Sequence, residues 1–319
     1  MAEGTPSWQL ILKAINVKFR SHFLAVMMSL SCGLVSAEDF RILSWNVESN
    51  RPGQSPVSDA TTIATELKQM AAAPATRFEI LALSEVEPKT METFKAAVAE
   101  GLGNPVDYVS SASGGFADTD SLMLLVDTSR FEIADAMELH RYAGLKGNFN
   151  NDAAAQEPGA LRARSPLAVK LVSKTNSKSF WVIANHLARG EEDLRTEQAK
   201  MLRKWALDST QPVIAAGDFN FDYEFKTELG NAGFVAMMEG GTWTWLKPDP
   251  LVDSNWSDDR NIKDRRVDRY PDSILDFVFV ANEAKNWNGV SSVVVRPGDF
   301  PDSDKTSDHR PLVTSFKTP

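Results

Sequence analysis

One cysteine, Cys32, serves the whole 319-residue chain. It lies in an N-terminal stretch that reads as a secretory signal, so the mature protein is expected to carry neither a disulfide nor a thiol. That excludes a cysteine nucleophile and a zinc–thiolate centre. No Gly-x-Ser-x-Gly elbow surrounds Ser165, Thr306 or Ser307, which argues against a serine hydrolase. A Walker loop and a dinucleotide fingerprint are both missing. Low-complexity tracts, heptads and repeats of fixed period are absent as well. No apolar run is long enough for a comfortable membrane span. Histidine is scarce: His22, His140, His186 and His309 are the full set. His22 falls in the leader and His140 reads as a surface residue.

The leader has the expected order of parts. Lys13, Lys18 and Arg20 precede an apolar run from Phe23 to Val35, and Val35-Ser36-Ala37 supplies a small-x-small cleavage site. Residues 1–37 are therefore expected to be a signal peptide and residues 38–319 a single catalytic domain. An uncleaved anchor, a translation start near Met27 and lipidation at Cys32 are the alternatives; Ser29-Leu30-Ser31 fits lipidation poorly. The formal net charge is -9, and loss of Lys13, Lys18, Arg20 and Glu3 makes it more negative. Such a charge disfavours tight non-specific binding of duplex nucleic acid. An exported chain without disulfides suits a secreted or periplasmic protein of a bacterial envelope, with no stable protein partner.

What is present is a series of short apolar runs. Phe40–Asn46, Phe78–Glu85, Val106–Ser110, Ser121–Asp127, Phe131–Ala134, Pro166–Val172, Ser179–Asn185, Val213–Gly217, Ile274–Val280, Ser291–Arg296 and Leu312–Phe316 read as strands. Helical spacing marks 57–73, 90–100 and 191–207. Residues 143–160 and 247–272 read as loops, the second an insertion or a lid whose basic piece, Lys263–Arg269, is a solvated or phosphate-tracking edge. Thr242–Trp245 alternates like a half-buried strand, with Trp243 in the core and Trp245 a weaker candidate for stacking at a pocket rim. The mixture predicts an α/β fold with sheets packed inside helices.

Many of these runs end on, or lie beside, an acid, an amide or a histidine. The polar positions are Asn46, Glu85, Asn185-His186, Asp218-x-Asn220, Asp276 within its strand, and Ser307-Asp308-His309 before the last strand. Each alone reads as a cap or turn residue; together they suggest one pocket. Glu85, Asp308 and Asn46 offer oxygen ligands only, which suit a hard cation such as magnesium or manganese, with calcium a further candidate. Asp218 beside Asn220 can hold and deprotonate a water. His309 with Asp276 would form a dyad, His186 adds a second donor, and Arg164 can fork onto an anionic oxygen. Such a set describes in-line attack on a phosphoester.

The motifs "LSWNV", "EILALSEV", "ARSPLAVKL", "ANHL", "GDFN", "LDFVFV" and "SDHRP", from Leu43 to Pro311, resemble the endonuclease/exonuclease/phosphatase superfamily of metal-dependent phosphohydrolases. The resemblance implies a four-layer α/β sandwich, two face-to-face mixed sheets flanked by helices. It implies Glu85 as principal metal ligand, with Asn46 and Asp308 completing or supporting that site. Asp218 would position or deprotonate the attacking water, and Asn220 would bond that water or a phosphate oxygen. His309, oriented by Asp276, and His186 would contact the phosphate, as would Arg164. "ANHL" and "RSPLAVKL" resemble the deoxyribonuclease-like branch, so a nuclease-like phosphodiesterase is the first expectation, with a phosphoester, nucleic acid included, as substrate. A sphingomyelinase-like lipid phosphodiesterase, a phosphomonoesterase, and a binding or scaffold protein on a decayed catalytic fold are the alternatives. N-terminal sequencing of the exported protein is expected to begin at Glu38; a mature mass that still includes Cys32 would overturn cleavage after Ala37.

Overall fold

The structure, a computed structural model, describes residues 38–48, 58–111, 121–139, 164–255 and 273–318. Contacts divide the chain into Met1–Ser36 and Ala37–Pro319, and every described residue belongs to the second unit. The expected leader, the 143–160 loop, His140 and the Lys263–Arg269 piece lie outside the described residues.

Among the described residues twelve strands form two mixed six-stranded sheets. The first has β1 (Asp39–Asn46), β2 (Ile80–Val86), β3 (Val106–Ser110), β4 (Ser121–Asp127), β11 (Val290–Val293) and β12 (Leu312–Lys317), in the order β11-β12-β1-β2-β4-β3. The second has β5 (Phe131–Glu138), β6 (Leu167–Ser173), β7 (Ser179–His186), β8 (Val213–Glu224), β9 (Trp243–Trp245) and β10 (Ser273–Ala281), in the order β5-β6-β7-β8-β10-β9. Each sheet has one parallel pair near its middle, β1 with β2 and β7 with β8; the other pairings are antiparallel.

Period-two alternation assigns each strand residue to one of two cores. Phe40 and Ile42 of β1, Ile80 and Ala82 of β2, Phe180, Val182 and Ala184 of β7, Ile214 and Ala216 of β8, and Val278 and Val280 of β10 meet between the sheets. The intervening residues face helices. Leu43, Trp45, Leu81 and Leu83 pack on α1 (Ala60–Ala72) and α2 (Met91–Leu102). Ile183, Val213, Ala215, Phe277 and Phe279 pack under α3 (Glu192–Asp208) and α4 (Ala232–Met238). The result is the four-layer α/β sandwich.

Local signals set the helix ends. Asp59 caps α1 by accepting from the backbone N–H groups of Thr61 and Thr62, and the helix stops before Ala73-Pro74, since a residue preceding proline is disfavoured in helix. Three expectations need correction. Strand β8 does not end at Gly217 but runs to Glu224, because Phe219, Phe221 and Tyr223 continue its helix-facing row. Strand β5 extends beyond Ala134 to Glu138, paired to β6 across a bulge. Trp245 packs against Tyr223, Phe234 and Phe277, at centroid distances of 4.6, 5.6 and 5.2 Å, and is not a free stacking surface. Trp243 is buried, as expected.

Phe40 sits at the hub of the inter-sheet core. It stacks on Phe180 and Phe316 and meets Phe131 and Trp287 edge-on, all within 6.1 Å between centroids. Phe40→Ala is expected to cost about 3–5 kcal/mol, read as a lower urea midpoint at unchanged slope.

Candidate active site

The parallel pairs bring residues of four strands together. Asn46 closes β1, Glu85 lies near the end of β2, His186 closes β7, and Asp218 is its register partner on β8. Asp276 on β10 is directly opposite Asp218. Strand β12 runs antiparallel to β1, so the Ser307-Asp308-His309 segment before it returns to the same end. Parity does the rest: 46, 186, 218 and 276 continue the inward rows that begin with Phe40, Phe180, Ile214 and Val280. The site is thus the polar cap of the inter-sheet core.

Glu85 would face the helices by simple alternation. A bulge between Leu83 and Val86 adds a residue relative to β4, and Glu85 adopts φ 54° there. This turns its carboxylate toward Asn46 and His186. A left-handed non-glycine residue of this kind costs about 1–3 kcal/mol. Gly217 has the same relation to Asp218: its φ is 142°, and a Cβ would stand 2.2 Å from the Asn185 carbonyl oxygen.

The side chains meet at short range. Asn46 Nδ2 donates to Glu85 Oε1 and to Asp218 Oδ2, each at 3.1 Å. His186 Nε2 lies 3.5 Å from Glu85 Oε1 and 3.6 Å from Asp218 Oδ2. His309 Nδ1 donates to Asp276 Oδ2 at 2.8 Å, while its Nε2 lies 3.8 Å from Asp218 Oδ2 and 3.9 Å from Asp308 Oδ1. Asp218 Oδ1 accepts the Asn220 backbone N–H at 2.9 Å. Asn220 Nδ2 and Arg164 Nη1 both donate to the Leu187 carbonyl, at 3.1 and 3.2 Å, so these two sit side by side along the β7 exit.

All of these acids and imidazoles are buried. Burial raises the Asp218 carboxyl, but the His309 and His186 imidazoles and the Asn46 amide more than offset it and hold Asp218 below the usual carboxylate value. Burial pushes Asp276 up, to about 6, against the pull of His309. For His309 burial works downward, yet the Asp276, Asp218 and Asp308 carboxylates dominate and raise it well above the ordinary imidazole value. The surrounding carboxylates thus favour the charged form of His309.

Several supports were not legible in the sequence. Trp45 Nε1 donates to the His309 carbonyl at 2.8 Å, and the Arg296 guanidinium lies over the Trp45 ring at 4.8 Å. Ser307 Oγ donates to the Asn46 carbonyl at 2.6 Å and accepts the His309 N–H at 3.0 Å. Arg189 is among the charges that lower Asp218. Serine, arginine and tryptophan at such positions carry no spacing signal.

Among the described residues no three His, Cys, Asp or Glu side chains form a ligating cluster. Asn46 Oδ1 accepts the Glu48 N–H at 3.0 Å, so the amide faces the acids with its nitrogen. The donor chemistry still fits a hard cation. Glu85, Asp218, Asp276 and Asp308 outnumber the imidazoles even when both are charged, and a buried surplus of negative charge calls for a cation.

The model of the endonuclease/exonuclease/phosphatase family matches residues 43–309. The chain belongs to this family. Its members are phosphoester hydrolases, and solved structures agree on the fold. The endonuclease/exonuclease/phosphatase from Bacteroides vulgatus superposes with TM-score 0.62 at 16% identity, over 88% of this chain and 100% of that one. TDP2 of D. rerio, complexed with a single-strand DNA product, gives 0.59 at 15% identity, over 88% and 100%. A mannosyl-6-phosphatase from Bacteroides thetaiotaomicron gives 0.56 at 17% identity, over 87% and 99%. Among curated proteins no sequence matches significantly.

Gly217→Ala should displace Asp218, since neither the φ nor the Asn185 backbone can accept a Cβ. A loss of about 2–4 kcal/mol is expected, measured by thermal unfolding; wild-type stability would show that β7 and β8 can part there.

Proposed function

We propose that the protein is an exported, divalent-metal-dependent phosphoester hydrolase that acts as a nuclease-like phosphodiesterase. The observation that carries this reading is the position of Asp218 Oδ2, 3.1 Å from Asn46 and within 3.8 Å of both His186 and His309. A base flanked by two imidazole N–H groups is an arrangement for taking a proton from water beside a phosphoryl group.

Asp218 stays ionised because the imidazoles lower its pKa, and its Oδ1 is fixed by the Asn220 N–H. Its Oδ2 holds a water and accepts one of its protons as the water oxygen bonds to phosphorus and the ester oxygen leaves. His309, oriented through Nδ1 by Asp276, turns Nε2 toward the phosphoryl oxygens, and His186 Nε2 does the same from β7. Arg164 forks onto an anionic oxygen, and Asn220 bonds the water or a phosphate oxygen. Glu85 would hold the cation with Asp308, and the cation would supply Lewis-acid stabilisation of the charge on the phosphoryl oxygens; Asn46, expected to offer an oxygen ligand, instead turns its nitrogen to the acids and would position Glu85 and Asp218. In this reading attack by the water is direct, with no covalent enzyme intermediate.

The diester preference rests on the "ANHL" and "RSPLAVKL" motifs, and export on the leader. The purified protein is expected to hydrolyse bis-p-nitrophenyl phosphate with magnesium or manganese, to lose activity in EDTA, and to regain it on adding metal. It should nick plasmid DNA and act more weakly on p-nitrophenyl phosphate; the reverse preference would favour a phosphomonoesterase, and turnover of sphingomyelin alone a lipid enzyme. Asp218→Asn and His309→Ala are each expected to lower kcat about 10²–10⁴-fold with the fold intact, and Glu85→Gln to weaken metal dependence and rate together. Folded protein that is silent with magnesium, manganese and calcium would sink the hydrolase reading.

A further inference from the structure

Pairing between β10 and β8 slips at the site. Ile274 faces Tyr223, yet Asp276, two residues on, faces Asp218. The slip takes the N–H groups of Leu275 and Asp276 out of the regular ladder, and buried N–H groups must find acceptors. One atom receives both. Ser254 Oγ accepts from Leu275 N at 3.0 Å and from Asp276 N at 3.1 Å. Ser254 has 0% of its surface exposed.

The same residue holds the other half of the dyad. Its carbonyl accepts the N–H of Arg310, next to His309, at 2.7 Å, and Asn255 forms an isolated antiparallel bridge with His309. Asp253 repeats the pattern: its Oδ1 accepts the Ser273 N–H at 2.7 Å, and its carbonyl accepts from Arg310 Nη1 at 2.9 Å. A three-residue clamp therefore joins the segment bearing Asp276 to the segment bearing His309.

We propose that Ser254 is a positioning residue for the His309–Asp276 dyad, its hydroxyl fixing the Asp276 peptide while its main chain fixes the segment that carries His309. The proposal rests on the catalytic reading of the dyad given above. The 2.8 Å bond between Nδ1 and Oδ2 joins side chains from separate segments. It keeps its geometry only while both backbones are held. Removing the hydroxyl would leave two buried N–H groups without their acceptor.

The test uses full-length protein labelled with ¹⁵N-histidine. The His309 Nδ1–H resonance is assigned by its loss in His309→Gln. In Ser254→Ala this resonance is expected to broaden or vanish through faster exchange with water. The same variant should lower kcat on bis-p-nitrophenyl phosphate about 10–100-fold with KM within about threefold, as expected for ångström-scale misplacement. Ser254→Thr, which keeps the hydroxyl, should retain the resonance and most of kcat. Should the alanine variant not fold, Ser254→Cys, with a weak acceptor of similar size, carries the same comparison. An unchanged resonance in folded Ser254→Ala or Ser254→Cys, or no protected His309 Nδ1–H in the wild type, would overturn the proposal. The resonance needs no substrate, so a wild-type protein that shows it yet hydrolyses no phosphoester would defeat the function reading and leave the positioning role standing.

Discussion

Asp218 carries a carboxylate at a point where an apolar strand emerges from the core, with 2% of its surface exposed. Burying that charge alone would cost several kcal/mol. Two imidazoles, an amide and a backbone N–H offset the cost. Each of those groups needs its own anchor in turn. Asp276 holds His309, Glu85 faces His186 and Asn46, and Ser307 and Trp45 hold the backbone around His309. The polar network is contiguous because every member is buried and must be satisfied by another.

The fold meets this demand by extending one rule to the end of several strands. Inward-facing positions are apolar along most of the core in β1, β7, β8 and β10, then become polar where Asn46, His186, Asp218 and Asp276 meet at one end of it. The apolar part holds the sheets together; the polar part inherits its alignment from it. Where alternation would aim a side chain wrongly, the backbone departs from regular strand geometry, as at Glu85 and at the slip before Asp276. Those departures are local strain, of about 1–3 kcal/mol at a left-handed residue. The inter-sheet aromatic cluster around Phe40 holds together the two sheets that carry them.

Much of this could be read from residue order. The strands from Phe40, Phe78, Ser121, Ser179 and Ile274 stand out because buried strands need unbroken apolar runs, and α3 because its apolar spacing is long and regular. The polar tips Asn46, Glu85, His186, Asp218, Asp276, Asp308 and His309 were legible as interruptions of those runs, and they do meet. The second half of β8 was hidden, since Asp218 to Glu224 mixes acids with aromatics and bends through positive φ at Asn220 and Asp222. Helix α4 was hidden by its seven-residue length. The clamp at Asp253–Asn255 was hidden entirely, because a serine whose partners are backbone N–H groups leaves no pattern in side-chain types.

Residue order by itself determined the layer composition, the family motifs and the inventory of acids, amides and imidazoles available for chemistry. It could do so because hydrophobic periodicity and side-chain chemistry are local properties. Tertiary structure alone decided which oxygen faces which nitrogen: that Asn46 turns its nitrogen to Glu85 and Asp218, that His309 meets Asp276 through Nδ1, and that Ser254 ties both halves of that pair. Those outcomes depend on distances between segments 22 to 172 residues apart, and on burial that makes each unpaired polar atom costly, and neither quantity exists until the two sheets close on one another.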